Sequence, residues 1–279
     1  MFIIPLFATL GNALGVVVDK ITLSKHKVSL KVFYPLLFVF LCFFAGALLP
    51  FLGHIDLAKA FSNYYLVIFG AMIFSALIWN IFYYKGLQKE HLYEFELIIT
   101  LTPLMTTFIA SLLLIEERNW HIIAPAIIAS LALLMAHIKK DHLAFSEYSV
   151  GILIAVLFMS LEMVLIKILL QVYSPVSLYF IRTLIIMVVF LFYFRPNVRG
   201  ENFTHIGLIV LSSLAGVLQM VLKFYSFDVY GVIYTNLIMT LAPILVYLSC
   251  IFVLKEKISF RAIIAGCIIL VCIVWATIR

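Results

Sequence analysis

Ionisable side chains inside long apolar runs are the residues of this sequence best placed to do chemistry. Glu162 lies near the middle of VLFMSLEMVLIK, where an unpaired carboxylate is costly. There it can neutralise a cationic ligand or carry a proton, or it can pair with a lysine or hydroxyl of a neighbouring helix. Glu96 lies in another apolar run, seven residues before Pro103 and on the same helical face. Both carboxylates are therefore candidate site residues.

Polar and aromatic side chains in other apolar runs extend this candidate site. Trp79 and Asn80 share one run, and Gln219 precedes Lys223 by one helical turn in another. Aromatic rings and amides together suit an amphipathic organic ligand, although any single aromatic residue also fits core packing or an interfacial belt. The candidate binding residues are Asn12, Trp79, Asn80, Tyr83, Glu96, Glu162, Gln219, Lys223, Tyr234 and Asn236.

Motifs of membrane-embedded enzymes are absent from the sequence. There is no Asp-rich metal motif, no HExxH pair, and no Gly-x-Ser-x motif with a distant histidine inside an apolar run. The histidines are scattered and fall mostly in polar islands. We therefore expect no catalytic residue, no metal site and no cofactor.

Composition places these residues in a membrane. Two thirds of the 279 residues are hydrophobic and only 11% are charged, whereas a soluble domain carries about a quarter charged residues. Short polar islands separate apolar runs of roughly 17 to 25 residues, the length that crosses a hydrocarbon core as a helix. The sequence predicts an all-α membrane protein with ten transmembrane helices, at 2–18, 32–52, 63–84, 93–115, 120–138, 148–170, 176–194, 204–226, 231–254 and 261–278.

One phrase of this sequence occurs twice. LIITLTP at 97–103 returns as LIMTLAP at 237–243, and each proline is followed thirteen residues later by a glutamate, Glu116 or Glu256. A proline inside a helix removes a backbone hydrogen bond and bends the helix, and a nearby threonine hydroxyl can compensate. We predict kinks or hinges at Thr100, Pro103, Thr240 and Pro243. Glu116 and Glu256 are expected to be structural, each stabilising the turn into the next helix.

The repeat extends along the whole chain. A shift of 140 residues aligns spans 3, 4 and 5 with spans 8, 9 and 10, and a slightly different offset aligns spans 1 and 2 with spans 6 and 7, placing Lys20 opposite Lys167. We predict two five-helix repeats, 1–140 and 141–279. Because five spans is an odd number, the second repeat enters the membrane from the opposite side. Inverted repeats of this kind are typical of secondary transporters, with the substrate site between the repeats.

The repeated segments resemble a known family. TLTPLMTTFIASLLLIEERNW and TLAPILVYLSCIFVLKEKISF, together with NIFYYKGL and KFYSF, are similar to segments of EamA-type members of the drug/metabolite transporter superfamily. SPVSLYFIRTL resembles the same family's loop and early arginine, here Arg182, where the first half has Pro35. From its position we expect Arg182 to bind a lipid headgroup or to anchor a helix end. The resemblance implies two EamA-like repeats of five helices, with helices 1, 3, 4, 6, 8 and 9 lining a central cavity.

The resemblance also implies a function. The chain is expected to be a secondary transporter, not an enzyme, that exports or exchanges a small organic metabolite, amino-acid-like or amphipathic, by alternating access. Its expected partners are that small-molecule substrate, a coupling proton or counter-metabolite, and the lipid bilayer of the cell inner or plasma membrane, with no nucleic acid and a monomeric state. An intramembrane enzyme, a lipid flippase and a structural membrane protein are the alternatives.

Membrane orientation has two conflicting signals. Most lysines and arginines lie in the loops after odd-numbered spans, which under the positive-inside rule places both termini outside. The family resemblance implies cytoplasmic termini instead. The sequence leaves both orientations open.

Overall fold

The described part of the chain is helical. The computed structural model describes residues 3–90, 92–137, 147–197, 202–242, 244–245 and 260–278. Within these residues β-type pairing is limited to an isolated antiparallel bridge between Ile55 and Tyr173. The helices are α1 (Ile3–Lys20, continued by a π-helical turn Ile21–Lys25), α2 (Leu30–Leu52), α3 (Leu57–Ala60), α4 (Asn63–Lys89), α5 (Leu92–Ile99), α6 (Leu101–Leu113), α7 (Trp120–His137), α8 (Glu147–Leu169), α9 (Pro175–Phe194), α10 (Phe203–Tyr230), α11 (Val232–Met239) and α12 (Phe260–Thr277).

Length and composition identify this chain as an integral, multi-pass membrane protein. Six of the described helices are long and apolar enough to cross a bilayer, and shorter apolar helices accompany them. The shorter ones are Leu101–Leu113, Trp120–Met135 and Ile264–Thr277. The long ones are Ile3–Lys25, Leu30–Leu52, Asn63–Lys89, Tyr148–Leu169, Pro175–Phe194 and Phe203–Tyr230.

Local capping residues fix where several helices begin. Ser174 precedes Pro175, and its hydroxyl accepts a hydrogen bond from the backbone N–H of Ser177, which satisfies one free amide at the start of α9. Asn202 caps α10 in the same way, through the backbone N–H of Thr204. These caps explain why α9 and α10 start at the polar islands that the sequence predicts.

Helices from the first half of the chain pack on helices from the second half. α1 lies along α10, α4 lies along α8, α2 packs on α9, and α7 packs on α12. These pairs are symmetric under the repeat. The pair α1–α10 corresponds to the pair α8–α4, and the pairs α2–α9 and α7–α12 each join a helix to its own counterpart. The interior between the paired helices is consequently built from both halves.

The two copies of the repeated phrase interrupt their helices at the same place. α5 ends at Ile99 and α11 ends at Met239, and the next residues, Thr100 and Thr240, have the same backbone angles, φ −62° and ψ −13°. The Thr240 hydroxyl donates a 2.5 Å hydrogen bond to the carbonyl of Leu237, which offsets lost backbone bonding. Each interruption precedes its proline by three residues.

Candidate binding site

A cavity whose lining combines charged, amide, aromatic and aliphatic side chains lies among helices of both halves, and this central cavity is the candidate binding site. Its volume is about 160 Å³, and its walls come from α1, α2, α4, α5, α6, α8, α9, α10 and α11. Since one water molecule needs about 10–15 Å³ of such space, the cavity accommodates on the order of ten waters or one small organic solute. α2 and α9 join the helices predicted to line it, through Phe38, Tyr179 and Arg182 among others.

A larger groove on the side of the molecule is a weaker candidate. It has a volume of about 1010 Å³ and lies between α6, α7 and α8. Its lining is almost wholly apolar and includes the exposed side chains of Phe108, Val150 and Leu157. A binding site for a polar solute needs convergent polar groups, which the central cavity has and this groove lacks.

Glu162 forms a buried ion pair in the cavity wall. Its Oε1 accepts a 2.5 Å bond from Arg182 Nε, and its Oε2 accepts bonds from Arg182 Nη2 at 3.3 Å and Trp79 Nε1 at 2.5 Å. Glu162 and Arg182 are each 2% exposed. The expectation that Arg182 binds a lipid headgroup or anchors a helix end is wrong, because its guanidinium points inward and neutralises the Glu162 carboxylate. Trp79 connects α4 to this pair, since its ring also faces the guanidinium at 5.8 Å.

Four other buried groups that line the cavity make no hydrogen bond or ion pair within the described residues, and the ammonium of one of them, Lys223, lies 5.5 Å from the centroid of the Phe227 ring. Glu96 is 7% exposed and Lys223 is 5% exposed, and neither makes a hydrogen bond or an ion pair there. The side-chain nitrogen of Asn236 and the hydroxyl of Thr102 also lack a hydrogen-bond partner there. Buried polar groups are normally satisfied, so these four are the groups best placed to contact a bound solute.

Asp19 is a site residue that the sequence reasoning missed. It lies at the end of α1, is 6% exposed, lines the cavity, and accepts a hydrogen bond from the Ser212 hydroxyl of α10. Its position at the edge of a polar island suggested a loop residue. A helical signal was available, however, because Asn12, Gly15 and Asp19 fall on one face of a helix.

Nine of the ten predicted binding residues line the cavity, and the exception is Tyr234. The Tyr234 hydroxyl forms a 3.0 Å hydrogen bond with the Thr277 hydroxyl of α12, so Tyr234 links two helices away from the site. Thr100 and Pro103 also line the cavity, whereas Thr240 does not. Pro243 and Glu256 lie outside the described residues. The nine are Asn12, Trp79, Asn80, Tyr83, Glu96, Glu162, Gln219, Lys223 and Asn236.

Corresponding positions of the two halves face the cavity. The 140-residue shift pairs Trp79 with Gln219, Asn80 with Met220, Tyr83 with Lys223, Tyr84 with Phe224, Glu96 with Asn236, and Ile99 with Met239. The 147-residue shift that aligns Lys20 with Lys167 pairs Asn12 with Met159, Gly15 with Glu162, Val16 with Met163, and Asp19 with Ile166. Every residue in both sets lines the cavity. The walls therefore have matching positions but different chemistry.

Lys20 and Lys167 make equivalent contacts in the two halves. The Lys20 ammonium donates to the carbonyls of Leu87 and Glu90 at the end of α4, both at 2.7 Å. The Lys167 ammonium donates to the carbonyls of Phe227 (2.8 Å) and Asp228 (3.1 Å) near the end of α10. A cation at a helix C-terminus satisfies free carbonyls and the helix dipole.

Glu117 joins the halves at the turn between α10 and α11. Its carboxylate accepts hydrogen bonds from the backbone N–H groups of Val232 (2.8 Å) and Ile233 (2.9 Å), at the start of α11. Burial raises the pKa of Glu117, and these two hydrogen bonds counteract part of the rise. Glu117 therefore caps α11, whereas Glu116, which is predicted to stabilise the turn into the next helix, is exposed in the turn Ile115–Glu117.

Metal ligation has no support in the part of the chain that the structure describes. There, no three side chains of His, Cys, Asp or Glu form a group that could hold a metal ion. Of the carboxylates that line the cavity, Glu162 forms an ion pair with Arg182, Asp19 accepts a hydrogen bond from Ser212, and Glu96 forms neither kind of contact within the described residues.

Comparison with known families identifies the second half of the chain. The sequence model of the EamA-like transporter family matches residues 148–278. Residues 148–278 belong to the EamA-like transporter family. This family lies within the drug/metabolite transporter superfamily, so the resemblance recognised from the repeated segments is confirmed. No curated protein matches the sequence.

The EamA-like assignment is accompanied by similarity to solved structures, 28 chains of which match this fold. One, described as "Crystal structure of protein", has a TM-score of 0.71 and 16% sequence identity, and the match covers 97% of each chain. Similarity at this identity shows a shared fold along the whole chain. It carries no information on the solute.

Proposed function

We propose that this chain is a secondary transporter that moves a small organic solute across the membrane, as an exporter or exchanger, by alternating access. The observation that carries the proposal is the repeat-related lining of the central cavity. A binding site whose walls come from the same positions of two repeats is the arrangement expected when two repeats close alternately around one solute.

An inverted ten-helix repeat, divided at about residue 140, is part of this proposal. The helix pairing that survives exchange of the halves supports it, and so do the equivalent contacts of Lys20 and Lys167. The second half carries the EamA-like match, and the first half repeats its motifs. We infer that α5–α6 and the helix beginning with α11 are the moving elements, bending at Thr100 and Thr240.

A polar small solute fits the cavity better than a lipid does. Glu96, Lys223 and Asn236 present unpaired polar groups to the space, and its volume of about 160 Å³ is small for a phospholipid with two acyl chains. This chemistry favours small-solute transport over lipid flipping. The exchanged species is either a proton or a second solute.

Uptake into proteoliposomes tests the proposal. Purified protein is reconstituted, and a radiolabelled metabolite panel is compared between protein-containing and empty vesicles at several pH gradients. We expect at least one solute to enter faster with protein, and dependence on an imposed pH gradient would identify a proton as the coupled species. Glu162→Gln should impair this uptake while the protein still inserts into the membrane. Equal entry of every solute into both kinds of vesicle would refute the transporter proposal.

A further inference from the structure

The groove on the side of the molecule, between α6, α7 and α8, has an apolar lining. It has a volume of about 1010 Å³, and its described lining residues are aliphatic or aromatic apart from Thr107, Ser111 and Arg118. The two hydroxyls already have partners, because Thr107 donates to the carbonyl of Pro103 and Ser111 donates to the carbonyl of Phe108, both at 2.8 Å. A ligand in this groove therefore meets apolar surface along most of its length.

Arg118 provides a positive charge at one end of the groove, and it is the one charged residue among the described residues of the lining. Its Nε donates to the carbonyl of Ser111 at 2.7 Å and its Nη2 to the carbonyl of Leu112 at 2.8 Å, which holds the guanidinium over the end of α6. A guanidinium has five N–H groups, so three remain for a ligand. Glu116 is exposed nearby, but it forms no ion pair with Arg118 in the described part of the chain.

This charged end of the groove lies at the level of the membrane surface. Arg118 follows the exposed turn Ile115–Glu117, beyond the last residue of α6. Trp120 is the first residue of α7, lines the groove, and is 75% exposed. Tryptophan rings concentrate at the depth of lipid headgroups, where the ring contacts acyl chains and the indole N–H reaches polar atoms. The pair of Arg118 and Trp120 is thus placed where a lipid has its phosphate.

From that end the groove extends inward by the thickness of one leaflet. Its lining on α6 runs from Ser111 to Leu101, ten steps of 1.5 Å or about 15 Å, which is half of a hydrocarbon core of about 30 Å. Leu157 of α8 lies at this depth, since it comes one turn before Ser160, whose hydroxyl bonds the carbonyl of Thr102. The apolar lining continues from there along α8 toward the other leaflet. An acyl chain whose headgroup lies at the charged end reaches Leu157 near the middle of the membrane.

α6 separates this groove from the central cavity. Thr102 and Pro103 line the cavity, whereas Leu101 and Leu104 of the same helix line the groove. A ligand in the groove packs on the back of a cavity wall without entering the cavity. The groove is therefore a second site with its own chemistry.

We propose that the groove binds one anionic phospholipid of the surrounding membrane, with its phosphate at Arg118 and an acyl chain along α6. A polar solute would meet the apolar lining, and an uncharged hydrocarbon would leave the guanidinium without an anion. A zwitterionic phospholipid brings a second cation close to the guanidinium, whereas an anionic phospholipid brings only negative charge. Charge complementarity at Arg118 thus selects the anionic headgroup.

Native mass spectrometry tests the proposal, because it counts both the bound lipids and the copies of the chain. The purified protein is mixed in detergent with equal amounts of phosphatidylglycerol and phosphatidylcholine that carry the same acyl chains. We expect one phosphatidylglycerol to bind with about 5-fold higher affinity than phosphatidylcholine, the preference that one basic residue contributes near an anionic surface. Equal affinity for the two lipids, or no bound lipid of either kind, would overturn the proposal.

Variants at Arg118 test the headgroup contact. Arg118→Met should bind the two lipids equally, and Arg118→Lys, which keeps the positive charge, should retain the preference. The control Arg195→Met removes another exposed arginine at a helix end, that of α9, and should bind as the parent protein does. A preference that persists in Arg118→Met would overturn the assignment. The comparison of the two lipids in the parent protein remains decisive even where a variant fails to fold.

Tryptophan substitutions test the position of the acyl chain. Leu157→Trp fills the inner end of the groove and should weaken binding of both lipids, whereas Leu66→Trp, at a leucine of α4 with the same 45% exposure, should not. Equal binding by the two variants would overturn the acyl-chain assignment. A lipid-free dimer that Leu157→Trp dissociates would show that a second copy of the chain occupies the groove, and would overturn the proposal as well. Since no solute is added, these results are independent of the proposed transport function.

Discussion

Replacing Arg182 with methionine exposes the energetic role of the ion pair at the cavity wall. Glu162 accepts three hydrogen bonds, two of them from Arg182, and both side chains are almost fully buried. In Arg182→Met the carboxylate keeps only the Trp79 bond and loses its counter-charge. The variant therefore contains a buried charge that is no longer compensated.

The expected loss is large because desolvation of the pair has already occurred. Removing one partner of a buried ion pair costs about 3–5 kcal/mol, while replacing both partners with apolar residues is often close to neutral. For chains of 150–250 residues each kcal/mol lowers Tm by about 2–4 °C, so Arg182→Met should melt roughly 10 °C below the parent protein. The double variant Glu162→Leu/Arg182→Met should recover more than half of this loss.

Thermal unfolding in detergent, followed by tryptophan fluorescence and by size-exclusion chromatography, measures both variants against the parent protein. Transport is measured in parallel, and we expect it to be lost in the single and in the double variant, since Glu162 faces the cavity. A double variant that melts as low as Arg182→Met would refute the argument that an uncompensated charge causes the destabilisation. Full transport by the double variant would remove the pair from the solute path.

Further predictions concern the contacts that hold the helix ends. Gly231→Ala should lower the free energy of unfolding by about 1–3 kcal/mol, because φ is +86° there and an added Cβ would lie 3.0 Å from the Glu117 carboxylate. The control Gly70→Ala places its Cβ in open space within α4 and should be tolerated, and the melting temperatures of the two variants are compared. The Glu117 pKa is raised above 4.5 in the fold, so its protonation favours the folded state: stability from this group is present below about pH 4.5 and is lost as pH rises through the folded pKa. Glu117→Gln should flatten that part of the pH–Tm profile, and an unchanged profile would contradict the assignment. Lys167→Met and Lys20→Met should destabilise the protein by similar amounts, about 1–3 kcal/mol, since each removes two charged hydrogen bonds to helix-end carbonyls. A marked difference in Tm between the two variants would contradict the equivalence of these contacts.

Features that depend on local pattern could be predicted from the sequence. Apolar runs and polar islands located the helices within a few residues, as α4 (Asn63–Lys89) shows against the predicted 63–84. The repeated phrase predicts kinks near Thr100 and Thr240, and α5 and α11 end at the residues just before them. Bending at these positions stays a prediction. The intramembrane position of Glu162 sufficed to mark it as a candidate residue of the cavity.

Features that depend on contacts between the halves could not be predicted in this way. Arg182 looked like a helix-end residue until the packing of α8, α9 and α4 brought it to Glu162. The sequence places Asp19 in a loop, but in the fold α10 packs over it and Ser212 donates a hydrogen bond to its carboxylate. Glu117 caps a helix that begins 115 residues later in the chain, and a contact at that separation cannot be predicted from local sequence spacing.

Solvent accessibility of the cavity from each side of the membrane tests the central claim most directly. In a protein whose four native cysteines are replaced, single cysteines are introduced at Gln219, which lines the cavity, and at Phe74, which is 59% exposed on α4 and expected to face lipid. Each is treated with a membrane-impermeant maleimide from either side of sealed vesicles. Alternating access predicts that Gln219→Cys reacts from both sides and that Phe74→Cys reacts from neither. Failure of Gln219→Cys to react from one of the two sides would contradict the account.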